Sequence, residues 1–193
     1  MNKRVKSNSI RIIAGQWRGR RLPVVDSQGL RPTIDRVRET LFNWLMNECS
    51  GAQVLDLFAG TGVLGLECLS RGAQYVDFVE KDKTTARLIE NNLQTLNATH
   101  RAQVWALSAD TFLARQKGEL SRAYDLVFLD PPFSDDLLKQ TVKMIEEANV
   151  LANGAYLYVE MASDQMLEEL PSFWRLYRQG KAGQSRYYLY QRD

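Results

Sequence analysis

Four consecutive residues, Asp130-Pro131-Pro132-Phe133, carry the clearest chemical signal in this 193-residue chain. They follow Tyr124-Asp125-Leu126-Val127-Phe128-Leu129, an almost wholly apolar run. Proline fixes the backbone and removes an N–H donor. Two prolines after a core strand therefore leave a carboxylate and rigid carbonyls, groups that only accept hydrogen bonds. An acceptor-only site suits an exocyclic amine, which must donate both its hydrogens. Accepting those bonds out of the base plane favours a more tetrahedral nitrogen, whose lone pair can attack a methyl carbon in line. The same acceptors stabilise the positive charge that grows on nitrogen. Phe133 offers a face for stacking, worth about 1–3 kcal/mol per base. A base inside a duplex must first be flipped out to reach such a site. Asp130, Pro131, Pro132 and Phe133 are thus the candidate catalytic set.

A second constellation lies upstream, in Val54-Leu55-Asp56-Leu57-Phe58-Ala59-Gly60-Thr61-Gly62-Val63-Leu64-Gly65. Glycines at a strand-to-helix turn let a ligand approach the backbone closely. Gly60, Gly62 and Gly65 satisfy GxGxxG, which alone would suggest a dinucleotide. The acids point elsewhere. Asp56 precedes the glycines, where it would repel a pyrophosphate. Glu80 ends the next strand, placed to accept both hydroxyls of a ribose. Asp110 follows the third strand, with Thr111 beside it, and could accept from an adenine amine. An acid at three successive strand ends matches a cationic nucleoside, S-adenosylmethionine, better than NAD. Asp56, Phe58, Gly60, Gly62, Glu80, Lys81, Asp110 and Thr111 form the candidate cofactor set, and no metal is expected.

These motifs need a frame that brings strand ends together. From Gln53 onward the chain alternates: strands at 54–58, 75–79, 102–107, 124–129 and 155–160, with helices at 62–71, 83–96, from Thr111, and 137–148 between them. Such alternation predicts right-handed βαβ units and a doubly wound, mostly parallel sheet. Two last strands, 174–179 and 185–191, fit an antiparallel hairpin on one edge, giving a seven-stranded, Rossmann-like α/β sheet. Ligands of such sheets sit beyond the carboxyl ends of the strands, where strand order reverses, and every motif above falls at such an end. Ahead of the sheet, residues 9–25 read as a β-hairpin, and Thr33 or Asp35 can cap a helix running to about Asn47. The expected division is a basic arm and hairpin at 1–34, then a catalytic domain at 35–193 that includes this helix.

The net charge of +2 is unevenly spread. Residues 1–38 hold ten Lys/Arg against two acids, a net +8, which leaves about −6 for the rest. A basic arm on a mildly acidic body implies a polyanionic partner. Ile10, Ile12, Ile13, Trp17 and Leu22 lie among those charges, which a disordered tail would rarely carry. Arg11, Arg18, Arg20, Arg21, Arg36 and Arg38 are the candidate RNA contacts. Arg36 and Arg38 occupy a helical first turn, where the dipole disfavours cations, so a partner outside the helix, or an ion pair with Asp35 or Glu39, must hold them. The lone His100 sits among polar residues, which disfavours chemistry built on a His pair. Cys49 and Cys68 lack metal-ligand spacing and read as reduced thiols of a cytoplasmic protein. No apolar run is long enough to span a membrane.

With these residues in view, the chain resembles the RsmD family of class I methyltransferases. The specific part is Arg11-Ile12-Ile13-Ala14-Gly15-Gln16-Trp17-Arg18-Gly19-Arg20, followed by Leu30-Arg31-Pro32-Thr33-Ile34-Asp35-Arg36-Val37-Arg38-Glu39-Thr40-Leu41-Phe42-Asn43-Trp44. The resemblance covers about residues 10–191. It implies methylation of N2 of a guanine in 16S ribosomal RNA within the 30S subunit, with ribosomal proteins nearby. Residues alone do not separate rRNA from DNA, or guanine from adenine. An adenine-N6 methyltransferase of DNA or RNA would use the same tetrad. A protein glutamine methyltransferase would open that tetrad with Asn. A non-catalytic ribosome-assembly factor or an NAD-dependent oxidoreductase completes the alternatives. A monomer is expected, since no sustained heptad appears.

Overall fold

A computed structural model describes residues 9–24, 32–116, 122–131, 135–162, 170–183 and 185–193. Pro132 and Phe133 lie outside the described residues, as do Leu30 and Arg31. A two-stranded antiparallel hairpin, β1 (Ser9–Arg11) and β2 (Arg21–Pro23), is followed by helix α1 (Pro32–Trp44). The main sheet is built from β3 (Gln53–Asp56), β4 (Tyr75–Val79), β5 (Ala102–Trp105), β6 (Tyr124–Leu129), β7 (Leu151–Ala162), β8 (Trp174–Ala182) and β9 (Ser185–Arg192). Helices α2 (Val63–Ser70), α3 (Lys83–Thr95), α4 (Ala109–Gln116) and α5 (Asp135–Ala148) connect its parallel strands.

The sheet order is β5-β4-β3-β6-β7-β9-β8. Neighbours from β5 to β7 are parallel, while β9 runs antiparallel to both β7 and β8. The expected doubly wound sheet of seven strands, with a hairpin at one edge, is what forms. Strand order reverses between β3 and β6, so the switch point lies at the ends of these two strands. The elements follow the sequence pattern with small shifts. Strand β7 is longer than 155–160, because Leu151 already pairs with Tyr124. Helix α1 begins at Pro32, so Thr33 and Asp35 lie within it rather than capping it.

Alternating side chains divide the core into two layers. One face carries Val54, Phe78, Leu126, Phe128 and Tyr158, packed with residues of α1, α2 and α3. The other carries Leu55, Val79, Val127, Leu129 and Leu157 against α4 and α5. The hairpin belongs to the first layer: Ile10, Ile12, Trp17, Leu22 and Val24 are buried in the same cluster as Leu41, Leu66 and Ile89. The apolar residues threaded through the basic arm therefore fasten it to the sheet domain.

Polar contacts complete the attachment. Glu67 of α2 is fully buried, and its carboxylate accepts the Ile13 N–H at 2.9 Å and the Ala14 N–H at 3.0 Å. Arg71 neutralises it across one helical turn at 3.0 Å. Ser70 Oγ accepts from the Trp17 N–H at 3.0 Å and donates to the Ala14 carbonyl at 2.6 Å. Gly15, at φ +79°, packs so closely on the Ser70 carbonyl that a Cβ would overlap it.

Gly65 performs the packing role expected of a third glycine. A Cβ there would collide with the Phe78 ring and the Val76 side chain. Gly65→Ala is therefore expected to destabilise the fold by about 1–3 kcal/mol, the usual cost of overpacking a tight core. Thermal denaturation measures this directly, and an unchanged melting temperature would refute the close helix–strand contact.

Candidate active site

The carboxyl ends of β3, β4, β6 and β7 converge on one cleft. Asp56 ends β3 and is buried at 3% exposure, with its Oδ2 accepting the Gly65 N–H at 3.0 Å. Loss of solvent raises the Asp56 pKa to about 7, an effect the Gly65 hydrogen bond opposes and the Glu80 charge reinforces. This carboxylate occupies an amide in the first turn of α2. A dinucleotide fold would keep that helix end for a pyrophosphate. The structure therefore turns the GxGxxG turn away from phosphate binding.

Glu80, just beyond β4, is half-buried. One of its oxygens accepts the Gly60 N–H and the other the Asp82 N–H, both at 2.8 Å. It thus shapes the glycine turn from the neighbouring strand. Each carboxylate oxygen has a second acceptor position left for a ligand. Gly60 at φ +52° and Gly62 at φ +73° adopt the left-handed conformation that side chains disfavour. Phe58 is half-buried at the rim and Lys81 is exposed. Asp110 and Thr111 are exposed in the first turn of α4. A hydrogen bond from Ser108, together with the Thr111 amide, holds Asp110 below the usual carboxylate range despite slight desolvation.

Asp130 emerges from β6 next to the switch point, and the following Pro131 is buried. Protein packed around Asp130 displaces water from its inner side and raises its pKa to about 8; the negative charges of Glu160 and Asp56 push the same way. Its outer edge is open to solvent, which limits the desolvation part of that rise. Register puts Asp56 opposite Phe128, and Leu129 opposite Val159. Asp56, Asp130 and Glu160 consequently share the face occupied by α1 to α3. Gathered acids of this kind suit a ligand bearing an ammonium and a sulfonium. Among the described residues, no group of three or more His, Cys, Asp or Glu could hold a metal ion.

The arginine set divides. Arg11, Arg18, Arg20, Arg21 and Arg36 are exposed, available to a partner. Arg38 is not: it is 3% exposed, and its Nη2 donates to the Arg11 carbonyl at 3.1 Å and to Asp35 at 2.6 Å. The expectation that Arg38 contacts RNA is corrected by this burial. Arg38 lies in the second turn of α1, where the ion pair with Asp35 that the sequence offered and the bond to the Arg11 carbonyl tie the helix to the hairpin.

Sequence reasoning overlooked Glu160, which lies near the end of β7 on the face that carries Asp56 and Asp130. Tyr158, 1% exposed, donates its hydroxyl to Glu160 Oε2 at 3.0 Å. Cys49 and Cys68 are both buried and unbridged, as expected, with their sulfurs 3.9 Å apart.

Comparison with known proteins bears on this geometry. Residues 10–191 match the family described as "Conserved hypothetical protein 95". The chain is 50% identical over 187 residues to ribosomal RNA small subunit methyltransferase D of Escherichia coli K12, covering 97% of this chain and 92% of that protein. The chain belongs to the RsmD family. The solved structure of Escherichia coli yhhF superposes with a TM-score of 0.87 at 45% identity, over 96% of this chain and 99% of that one. RsmC of T. thermophilus, a 16S rRNA guanine-N2 methyltransferase solved with AdoMet and guanosine, superposes with a TM-score of 0.72. That likeness covers 97% of this chain and 50% of RsmC at 21% identity, and it shows a shared fold. The family match spans both the hairpin with α1 and the sheet.

Two expectations follow from the site. Glu80→Ala removes a carboxylate that braces the turn and faces the cofactor cleft. Hydrogen bonds to charged groups are worth about 1.5–3 kcal/mol, so affinity for S-adenosylhomocysteine should fall about 10- to 100-fold; calorimetry showing no loss would exclude Glu80 from the site. The second concerns pH. Asp130 accepts an N–H bond best when ionised, and its raised pKa delays ionisation. Measured for the cofactor, kcat/KM reports the free enzyme and should therefore climb as pH rises through about 8. Asp130→Asn should flatten that limb; a wild-type profile level from pH 6 to 9 would contradict the shift.

Proposed function

We propose that this protein transfers a methyl group from S-adenosylmethionine to the exocyclic N2 amine of one guanine in 16S rRNA of the small ribosomal subunit. The observation that carries the reading is Asp130 at the switch point, beside the acid-lined cleft ended by Asp56 and Glu80. The 50% identity to a protein named ribosomal RNA small subunit methyltransferase D supports the substrate class. When bound, S-adenosylmethionine supplies an electrophilic methyl group on a sulfonium. Asp56, Phe58, Gly60, Gly62, Glu80, Lys81, Asp110 and Thr111 would hold it. In this reading Glu80 takes the ribose hydroxyls, Asp110 the adenine amine, and Asp56 lies near the ammonium. Asp130 and the carbonyls of the Pro131-Pro132 stretch accept the N–H bonds of the target amine and stabilise its growing positive charge. Phe133 stacks on the flipped base.

The exposed Arg11, Arg18, Arg20, Arg21 and Arg36 meet the RNA phosphates, within the 30S particle and beside its proteins. A cytoplasmic monomer fits this role. Among the described residues, no helix is long and apolar enough to cross a membrane.

Charge reversal at Arg18, Arg20 and Arg21 tests the arm. RNA affinity should fall at least about 10-fold and its salt dependence should flatten, because each phosphate contact adds about 0.7–0.9 to the log–log salt slope. S-adenosylhomocysteine affinity should stay unchanged. Unaltered RNA binding would reduce the arm to a solvated surface. Calorimetry also tests the cofactor class: S-adenosylhomocysteine should bind and NAD should not, and the reverse would overturn the reading.

A further inference from the structure

Strands β6 and β7 run parallel with Leu129 opposite Val159. The next residues, Asp130 where β6 has ended and Glu160 still within β7, therefore lie side by side and on one face. Beneath them Phe128 and Tyr158 meet edge to face, with ring centroids 6.0 Å apart. The Tyr158 hydroxyl donates to Glu160 Oε2 at 3.0 Å, which fixes the carboxylate and leaves Oε1 as its outward acceptor. Glu160 is half-buried, and no described Lys or Arg forms an ion pair with it. A carboxylate held by a buried tyrosine, next to the catalytic acid and without a cation among the described residues, is built to receive donors.

Guanine presents such donors. Its N1–H and N2 amine lie next to each other on the Watson–Crick edge. Adenine presents an amine beside a bare N1 lone pair, which a carboxylate would repel. We propose that Glu160 is the guanine-reading residue of this site, accepting N1–H while Asp130 accepts from the N2 amine. The inference rests on the guanine-N2 reading and deepens it, because it assigns the choice of base to a specific side chain. A site built to pair a substrate N–H rejects an analogue lacking that hydrogen far more strongly than a hydrophobic pocket rejects a size change.

The test uses the full-length protein and small subunits reconstituted with 16S rRNA. One RNA carries guanosine at the target position and the other carries 2-aminopurine riboside, which keeps the N2 amine, replaces N1–H with a lone pair and lacks O6. Wild-type kcat/KM should drop by about 10⁴-fold on the 2-aminopurine RNA, the size of discrimination lost with a paired N–H. In Glu160→Gln, Tyr158 holds the carboxamide oxygen, so the NH2 group faces the base. It opposes guanine N1–H and donates to the 2-aminopurine lone pair. The preference should therefore collapse or invert while S-adenosylhomocysteine affinity stays within about threefold. A purely structural role for Glu160 would lower both rates together and preserve their ratio. An unchanged ratio in the variant, or no discrimination by the wild type, overturns the proposal. Should the Gln variant not fold, Glu160→Ala must likewise shrink the guanosine preference, and a preference kept intact in it overturns the proposal. If the wild-type enzyme does not methylate guanine N2 at all, the functional reading itself fails, a result distinct from the failure of Glu160.

Discussion

Asp130→Ala is expected to reduce methyl transfer by about 10²–10³-fold, the loss seen when one preorganised group that stabilises transition-state charge is removed. The cofactor should still bind within a fewfold of wild type. Asp130 leaves β6 beside the switch point, while the carboxylates that shape the glycine turn are bonded without it, Glu80 to the Gly60 amide and Asp56 to the Gly65 amide. Removing Asp130 also removes one of the negative charges gathered at the strand ends, so the empty cleft should not lose stability. Single-turnover assays with saturating cofactor read the chemical step. Wild-type rates in the variant would remove Asp130 from the mechanism, and a large loss of cofactor affinity would reassign it to cofactor binding.

Glu67→Ala should be the most destabilising single change on the surface between the arm and the sheet domain. The buried carboxylate takes two backbone N–H groups of the arm and pairs with Arg71. Alanine leaves both amides without a partner and leaves the guanidinium, which also lies over the Phe42 ring at 4.7 Å, without its counter-charge. Breaking a buried pair from one side costs about 3–5 kcal/mol. At about 2–4 °C per kcal/mol for a chain of this size, the melting temperature should fall by roughly 10 °C or more. Amide exchange should accelerate first at Ile13, Ala14 and Trp17, before the sheet strands. Uniform protection in the variant would mean that the apolar contacts of Ile12, Trp17 and Leu22 hold the arm unaided.

Much of this arrangement was legible in the sequence because strand ends are. A buried apolar run followed by an acid marks where a parallel sheet opens to ligand, and Asp56, Glu80 and Asp130 announce themselves that way. Glu160 closes the run expected at 155–160, but its strand continues to Ala162 and no proline follows it as prolines follow Asp130. What stayed hidden depends on contacts distant in sequence. The Glu67 carboxylate meets the Ile13 amide across 54 residues, and no local pattern encodes that. Arg38 misled for a related reason: a cation expected in a helical first turn signals an external partner, and the sequence cannot say whether that partner is RNA or the Arg11 carbonyl. Cys49 and Cys68, remote along the chain, meet because α2 packs beside the segment leaving α1.

The central claim is amine methylation of a guanine in small-subunit rRNA. The measurement that tests it most directly is transfer of a labelled methyl group from S-adenosylmethionine, run in parallel on 30S particles, naked 16S rRNA and DNA, with nucleoside mapping of the product. The expected result is N2-methylguanosine at a single position in 16S rRNA, formed about 10²–10³-fold more slowly by Asp130→Ala. Label in N6-methyladenosine or in DNA, or no transfer to any of the three, would contradict it.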